Sequence, residues 1–183
     1  MKPVPPTSFR NPINRTVKGV GGVSEGKAFT KEADMVQIRG VEAADLFKII
    51  AIDQRVTGLA KHDYWHDVFG RFGQQQAKDG FFLVAESRGE SDTCVVGFII
   101  GEVRAWEFGS SPCGWVFALS VEPETRQLGV GEALFEAIST EFKKAGVSKM
   151  RTMVARDSRL PLLFFRGEGM TAGPYIQLEK DLD

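Results

Sequence analysis

The chain is short of cysteine and histidine, has no long apolar run and carries no surplus of either charge. Each shortage closes off a class of protein. Among 183 residues there are two cysteines, Cys94 and Cys113, without the spacing of a disulfide framework. A reduced chain is the simpler reading. No apolar stretch reaches the ~20 residues that a membrane helix needs. The first residues, MKPVPPTSFRNP, offer proline and polar groups where a secretory signal requires an apolar run. A cytoplasmic protein with no membrane partner is expected. Lys and Arg number 23 against 24 Asp and Glu, for a net charge of -1, so the basic excess of a dedicated nucleic-acid binder is missing. The two histidines, His62 and His66, are four apart and share a helix face beside Asp63 and Asp67. Two strong ligands do not make a metal site, and no metal is expected.

What is present is ordinary for one globular domain, with 43% apolar and 26% charged residues. The first 34 residues stand apart. Pro3, Pro5, Pro6 and Pro12 are followed by Gly19, Gly21, Gly22 and Gly26, with no helical or strand period. Residues 1–34 read as a flexible or peripheral arm, and residues 35–183 as the folded domain. The glycines at 19–22 lack a preceding strand and a following helix, so they read as linker rather than phosphate loop.

From Met35 onward the pattern is regular. Alternation predicts strands at 36–39, 81–85, 94–106, 115–121, 149–154 and 175–182. Helical spacing of apolar residues predicts helices at 42–58, 62–76, 129–145 and 160–166. The helix at 129–145 is the best defined. Leu134, Ile138, Phe142 and Ala145 form one stripe, acids lead, and Lys143 and Lys144 close it, as the helix dipole prefers. The whole is a mixed α/β domain of the α+β kind, without internal repeats.

The segment WVFALSVEPETRQLGVGEAL, residues 115–134, carries the chemistry. A strand ends at Val121, Pro123 stops its ladder, and Gly129 and Gly131 lead into a helix. A helix amino terminus presents unpaired N–H groups and a positive dipole end, and both favour an anion. Glycine lets an anion approach the backbone, and Arg126 adds a positive charge. The loop is not a Walker motif, since Glu132 and Ala133 follow the second glycine. It also lacks the third glycine of a dinucleotide fingerprint. Spacing alone leaves an anion loop and a tightly packed turn both open.

Val121, Pro123, Arg126, Gly129, Gly131 and Leu134 together resemble the acetyl-CoA-binding motif of the GNAT superfamily of N-acetyltransferases. The order of elements resembles that family from Met35 to Leu182. The resemblance implies a mostly antiparallel central sheet with helices on both faces. It also implies that the strand ending at Val121 splays from the strand at 149–154. Acetyl-CoA would be the co-substrate, with its pantetheine arm along Leu119, Ser120 and Val121. Its pyrophosphate would lie on the amides around Arg126, Gln127, Leu128, Gly129, Val130, Gly131 and Glu132. A second family motif falls on residues 157–170 and would bring Asp157 and Phe164 to the cofactor. There Phe165 stands where many members have a tyrosine that serves the leaving thiolate. No residue at 114 or 115 can act as the base that members often place there. Glu102 and Glu107, expected on the preceding strand, are the candidate bases, with a water relay as the default. The first two helices would border the acceptor cleft, bringing His62, Tyr64 and His66 near it. The expected reaction is acetyl transfer to a primary amine: a protein amino terminus, a lysine or a small molecule. A non-catalytic acyl-CoA-binding module and a transferase using another acyl-CoA are the alternatives. A homodimer would follow family habit.

Overall fold

The computed structural model describes residues 36–74, 79–88 and 93–182. The arm expected at 1–34, the end of the expected second helix and residues 89–92 lie outside them.

Among the described residues five strands and four α-helices are laid down in the order β1 (Val36–Gly40), α1 (Leu46–Thr57), α2 (His62–Phe69), β2 (Gly80–Arg88), β3 (Thr93–Arg104), β4 (Cys113–Val121), α3 (Val130–Lys144), β5 (Met150–Thr152) and α4 (Arg159–Gly167). The strands form one sheet in chain order. The first three pairings are antiparallel and β4–β5 is parallel. Because strand residues point alternately to opposite faces, the sheet carries two cores. Phe82, Val84, Phe98 and Ile100 pack with Ile49, Ile52, Trp65 and Val68 of α1 and α2. Ile99, Val116 and Val121 pack with Val130, Leu134, Ile138 and Phe142 of α3 on the other side. Each such fully buried aliphatic or aromatic side chain contributes roughly 1.5–3 kcal/mol, so the two layers hold the sheet between them.

Local chemistry fixes where the helices begin and end. Before α1, the Asp45 carboxylate accepts the Glu42 amide at 2.7 Å in a capping box. Gly58 closes α1 at φ 77, with its amide on Gln54 O at 2.7 Å. Buried Asp53 accepts Trp65 Nε1 at 2.8 Å and pairs with Lys61 at 2.9 Å, joining α1 to α2. On the α3 face the Phe142 ring fills the space above Gly101 and Gly114, where a Cβ would collide with it.

Several sequence expectations need correction. The second helix is α-helical to Phe69 and continues as a π-helical stretch over Gly70–Gln74. Strand β3 ends at Arg104, so Glu107 lies in the turn Glu107–Gly109 rather than on a strand. The expected last strand is absent: residues 175–182 have no regular structure, and Ile176, Leu178 and Leu182 are exposed. Their alternation is strand-like, but an isolated segment has no ladder partner to give it that form. Cys94 and Cys113 are both free thiols, the first exposed and the second buried.

Candidate active site

The site begins where two strands part. Only Gly114, Trp115 and Val116 of β4 pair with Met150, Arg151 and Thr152 of β5. Thr152 Oγ1 closes the last rung by donating to Val116 O at 2.9 Å. Across the other edge of β4, Ile100 faces Ala118 while Gly101 faces Val116. Phe117 is therefore an extra residue, a bulge that bends β4 away from β5. Residues 117–121 continue against β3 alone, so among the described residues no strand takes the other edge of Leu119, Ser120 and Val121. A half-paired strand of this kind is a template for an extended amide chain.

This free edge ends on the amino terminus of α3. After β4 the chain makes a short turn, Pro123–Thr125, in which Thr125 N and Oγ1 both bond Glu122 O at 3.0 and 3.1 Å. Leu128 N reaches Thr125 O at 3.0 Å, and Gly129 then adopts φ 73 before the helix starts at Val130. The bond from Ala133 N to Gly129 O, 3.0 Å, closes the first helical turn. The amides of Val130, Gly131 and Glu132 therefore have no partner inside the helix, and Gly129 at the cap position has no side chain to offer them. Arg126, Gln127, Leu128 and Gly129 are exposed around them. Arg126 Nε is turned back to Val121 O at 3.4 Å.

The two glycines have different reasons. Gly129 needs its left-handed φ, and nothing lies within 4 Å of the Cβ position, so the space above it is open. Gly131 is buried, and a Cβ there would meet Phe164 Cε2 at 3.1 Å. Open space of the kind an anion would need therefore lies over Gly129. At Gly131 the missing side chain makes room for the ring of α4. Unpaired amides, a helix dipole and open space over Gly129 together fit a pyrophosphate.

Glu122 went unnoticed in the sequence, where it reads as one more acid before Pro123. In the fold it is 6% exposed. Its carboxylate lies between Lys48 at 3.3 Å and Arg55, both on α1. Its amide donates to Val96 O at 2.8 Å. The loop into α3 is thereby tied to α1 and β3 at one residue.

Helix α4 lies against α3. Phe165, in the slot where family members often carry tyrosine, is 9% exposed, with its ring centroid 6.0 Å from Phe135 and 5.2 Å from Phe164. Asp157 sits exposed in the turn before α4. Glu168, just past α4, has its carboxyl pushed up by burial and by Glu132 and Glu136.

At the mouth of the fork, one row of backbone partners crosses three strands: Glu102, Trp115 and Arg151. All three belong to the sheet face that carries α1 and α2. Ile100, two before Glu102, and Phe117, two after Trp115, pack there, whereas Met150, next to Arg151, packs on the α3 side. Arg104 donates from Nε to Glu102 at 2.8 Å and stacks over Trp115 at 4.6 Å. Arg151 donates to Ser110 Oγ at 3.1 Å and stacks on Tyr175 at 4.7 Å. Glu102 is therefore brought to the fork, while Glu107 stands exposed in its turn. His62 and His66 line a shallow groove with Phe47 and Ile50 of α1, and Tyr64 is exposed on α2. Among the described residues no three His, Cys, Asp or Glu side chains cluster as metal ligands. No helix there is long and apolar enough to cross a membrane.

Comparison with known proteins agrees with this architecture. The acetyltransferase (GNAT) family model matches residues 46–163. No curated protein matches by sequence. Among solved structures, AAC(6')-Iy in complex with the bisubstrate analogue CoA-S-monomethyl-acetylneamine superposes with a TM-score of 0.68 at 17% identity. The match covers 81% of this chain and 99% of that one. The aminoglycoside 6'-N-acetyltransferase AAC(6')-Ih of Acinetobacter baumannii gives 0.66 at 14% identity, covering 81% and 99%. A possible acetyltransferase of Clostridium difficile 630 gives 0.64 at 18% identity, again covering 81% and 99%. The chain belongs to the GNAT acetyltransferase family. It is an acyltransferase whose acetyl donor is acetyl-CoA.

Proposed function

We propose that the enzyme transfers acetyl from acetyl-CoA to a primary amine, with the thioester at the fork between β4 and β5. The reading is carried by one observation: the free edge of β4 runs from the fork at Val116 and Thr152 to uncapped amides beside Gly129. Five extended residues span roughly 16 Å, room for an extended pantetheine arm. The main chain at Leu119, Ser120 and Val121 would hold that arm. The amides from 127 to 132, with Arg126 beside them, would hold the pyrophosphate, and Asp157 and Phe164 would flank it.

Acetyl-CoA supplies an activated carbonyl. The amine nitrogen forms the new C–N bond, the C–S bond breaks, and the CoA sulfur leaves with the bonding electrons. The amine must be neutral when it attacks and must shed a proton afterwards. Glu102, in the row opposite Trp115, is the carboxylate placed to take that proton through water. Its ion pair with Arg104 holds it at the fork. Phe165 has no proton to give the sulfur. A thiol with a pKa of ~8.5 leaves as thiolate without obligatory protonation. The free thiols suit a reducing compartment, and we assign the enzyme to the cytoplasm, with residues 35–183 as its catalytic unit.

Calorimetry with CoA and acetyl-CoA, followed by thiol release over a panel of amines, tests this. Tight CoA binding and thiol release dependent on an amine are expected. Binding without release for any amine sinks the transferase reading.

A further inference from the structure

We propose that the acceptor amine also carries a carboxylate, which Arg151 binds with help from Arg104, and that a polycationic aminoglycoside is a poor acceptor. The inference rests on the transferase reading above and names its substrate class.

The argument starts from the row Glu102, Trp115, Arg151. Trp115 is one residue short of the last β4–β5 rung, so its ring and the groups around it border the place where the strands part. Three charged side chains surround it: Glu102, Arg104 and Arg151. Glu102 and Arg104 neutralise one another at 2.8 Å. Arg151 has no such relief. Among the described residues no carboxylate lies within ion-pair distance of it, and its hydrogen-bond partner there is the neutral hydroxyl of Ser110, itself 5% exposed. Tyr175 covers one face of the guanidinium at 4.7 Å. Stacking on one face leaves the donor edge in its plane, where a guanidinium grips a carboxylate with paired N–H bonds.

The three side chains around Trp115 therefore carry one net positive charge, that of Arg151, held by a ring and a buried hydroxyl. A polycation would meet two arginines there and one carboxylate that is already engaged. An amine with a carboxylate close by meets complementary charge instead, and its amine is aimed at the thioester beside Trp115 and Glu102.

The experiment is thiol release from acetyl-CoA with amino acids, each paired with its own carboxamide, and with neamine as the polycationic arm. The carboxamide's amine is the weaker base and so is more often neutral. A preference for the carboxylate therefore runs against intrinsic reactivity. We expect kcat/KM about tenfold or more higher for the carboxylate member, about the size of one charge-assisted contact, with neamine lowest. In Arg151→Gln the ratio should fall toward one while CoA affinity, read by calorimetry, stays unchanged. The readout is a ratio, so a general loss of activity cannot imitate it, and the unaltered enzyme tests the idea whichever variants fold. Equal or reversed preference in the unaltered enzyme overturns the inference alone, as does a preference that survives in both Arg151→Gln and Arg104→Gln. CoA binding with no release from any acceptor overturns the transferase reading and this inference together.

Discussion

Gly131 and Phe164 are fitted to one another across a missing side chain: a Cβ on the glycine would lie 3.1 Å from Cε2 of the ring. Gly129 has open space but a left-handed φ of 73. The two glycines should fail differently. Gly129→Ala is strained by about 1–2 kcal/mol whatever surrounds it, and it turns the loop amides, so acetyl-CoA affinity should fall. Gly131→Ala overpacks against the ring by about 1 kcal/mol, which offsets the gain of about 1 kcal/mol from replacing a helical glycine, and shrinking the ring relieves the overpacking. In a double-mutant cycle read by denaturant midpoints, Phe164→Leu should couple to Gly131→Ala and not to Gly129→Ala. Coupling to both, or to neither, contradicts the assignment.

A second prediction concerns the start of α1. Burial pushes the Asp45 carboxyl up. Bonds from Arg39 at 2.7 and 2.9 Å and from the Glu42 amide at 2.7 Å outweigh it, leaving the group below 3.8. A depressed carboxylate contributes stability above its unfolded pKa and loses it as pH falls through the folded one. Asp45→Asn should therefore cost about 2 kcal/mol at pH 7. The gap to the unaltered chain should narrow once pH drops below about 3.8. Urea midpoints at pH 7 and pH 3 measure both numbers, and a gap that does not change between them counts against the ion pair.

Glu168 has the opposite sign. Burial, then Glu132 and Glu136, raise its carboxyl above 4.5. Its ionised form is disfavoured in the folded chain, so a penalty grows as pH rises through 4.5 and is complete above the folded value. Glu168→Gln should stabilise the enzyme at pH 7 by on the order of half a kcal/mol, given the solvent screening of an acid at this site. The gain should vanish at pH 4. Thermal melts at the two pH values decide it, and a variant no more stable at pH 7 than its parent refutes the repulsion.

Much of this fold was legible because each element repeats a period. The stripe Leu134, Ile138, Phe142 marks α3, and the turn glycine Gly58 marks the end of α1. The turn into α3 was legible because Pro123 and Gly129 are residues whose backbone roles show in their identity. What escaped notice depends on contacts between distant segments. The parting of β4 from β5 is implied by the family resemblance, but the bulge at Phe117 that marks its place follows from register rather than composition. The reason for Gly131 is a ring 33 positions away in α4. Residues 175–182 alternate like a strand, yet a strand also needs a partner that their own pattern cannot supply.

The last prediction turns on Glu122, where the loop into α3 is fastened. Its carboxylate is 8% exposed between Lys48 and Arg55, whose side chains are 31% and 46% exposed, and among the described residues its Oε2 has no hydrogen-bond partner. The cations can turn to water if the acid is removed, but the acid cannot escape if the cations are removed. The site is therefore asymmetric. Glu122→Gln keeps the backbone bonds to Val96 and Thr125 and should cost about 1–2 kcal/mol, well under the 3–5 kcal/mol of a stranded buried charge. Lys48→Met with Arg55→Met strands the carboxylate and should cost about 3 kcal/mol or more at pH 7. Glu122→Gln should also raise KM for acetyl-CoA several-fold with little change in kcat, because the loop is loosened while the fork is untouched. Denaturation of the three proteins and steady-state kinetics of the first variant provide the test. If removing the acid proves as costly as removing both bases, the acid is not the trapped member. Its hold on the loop must then come from the main chain alone.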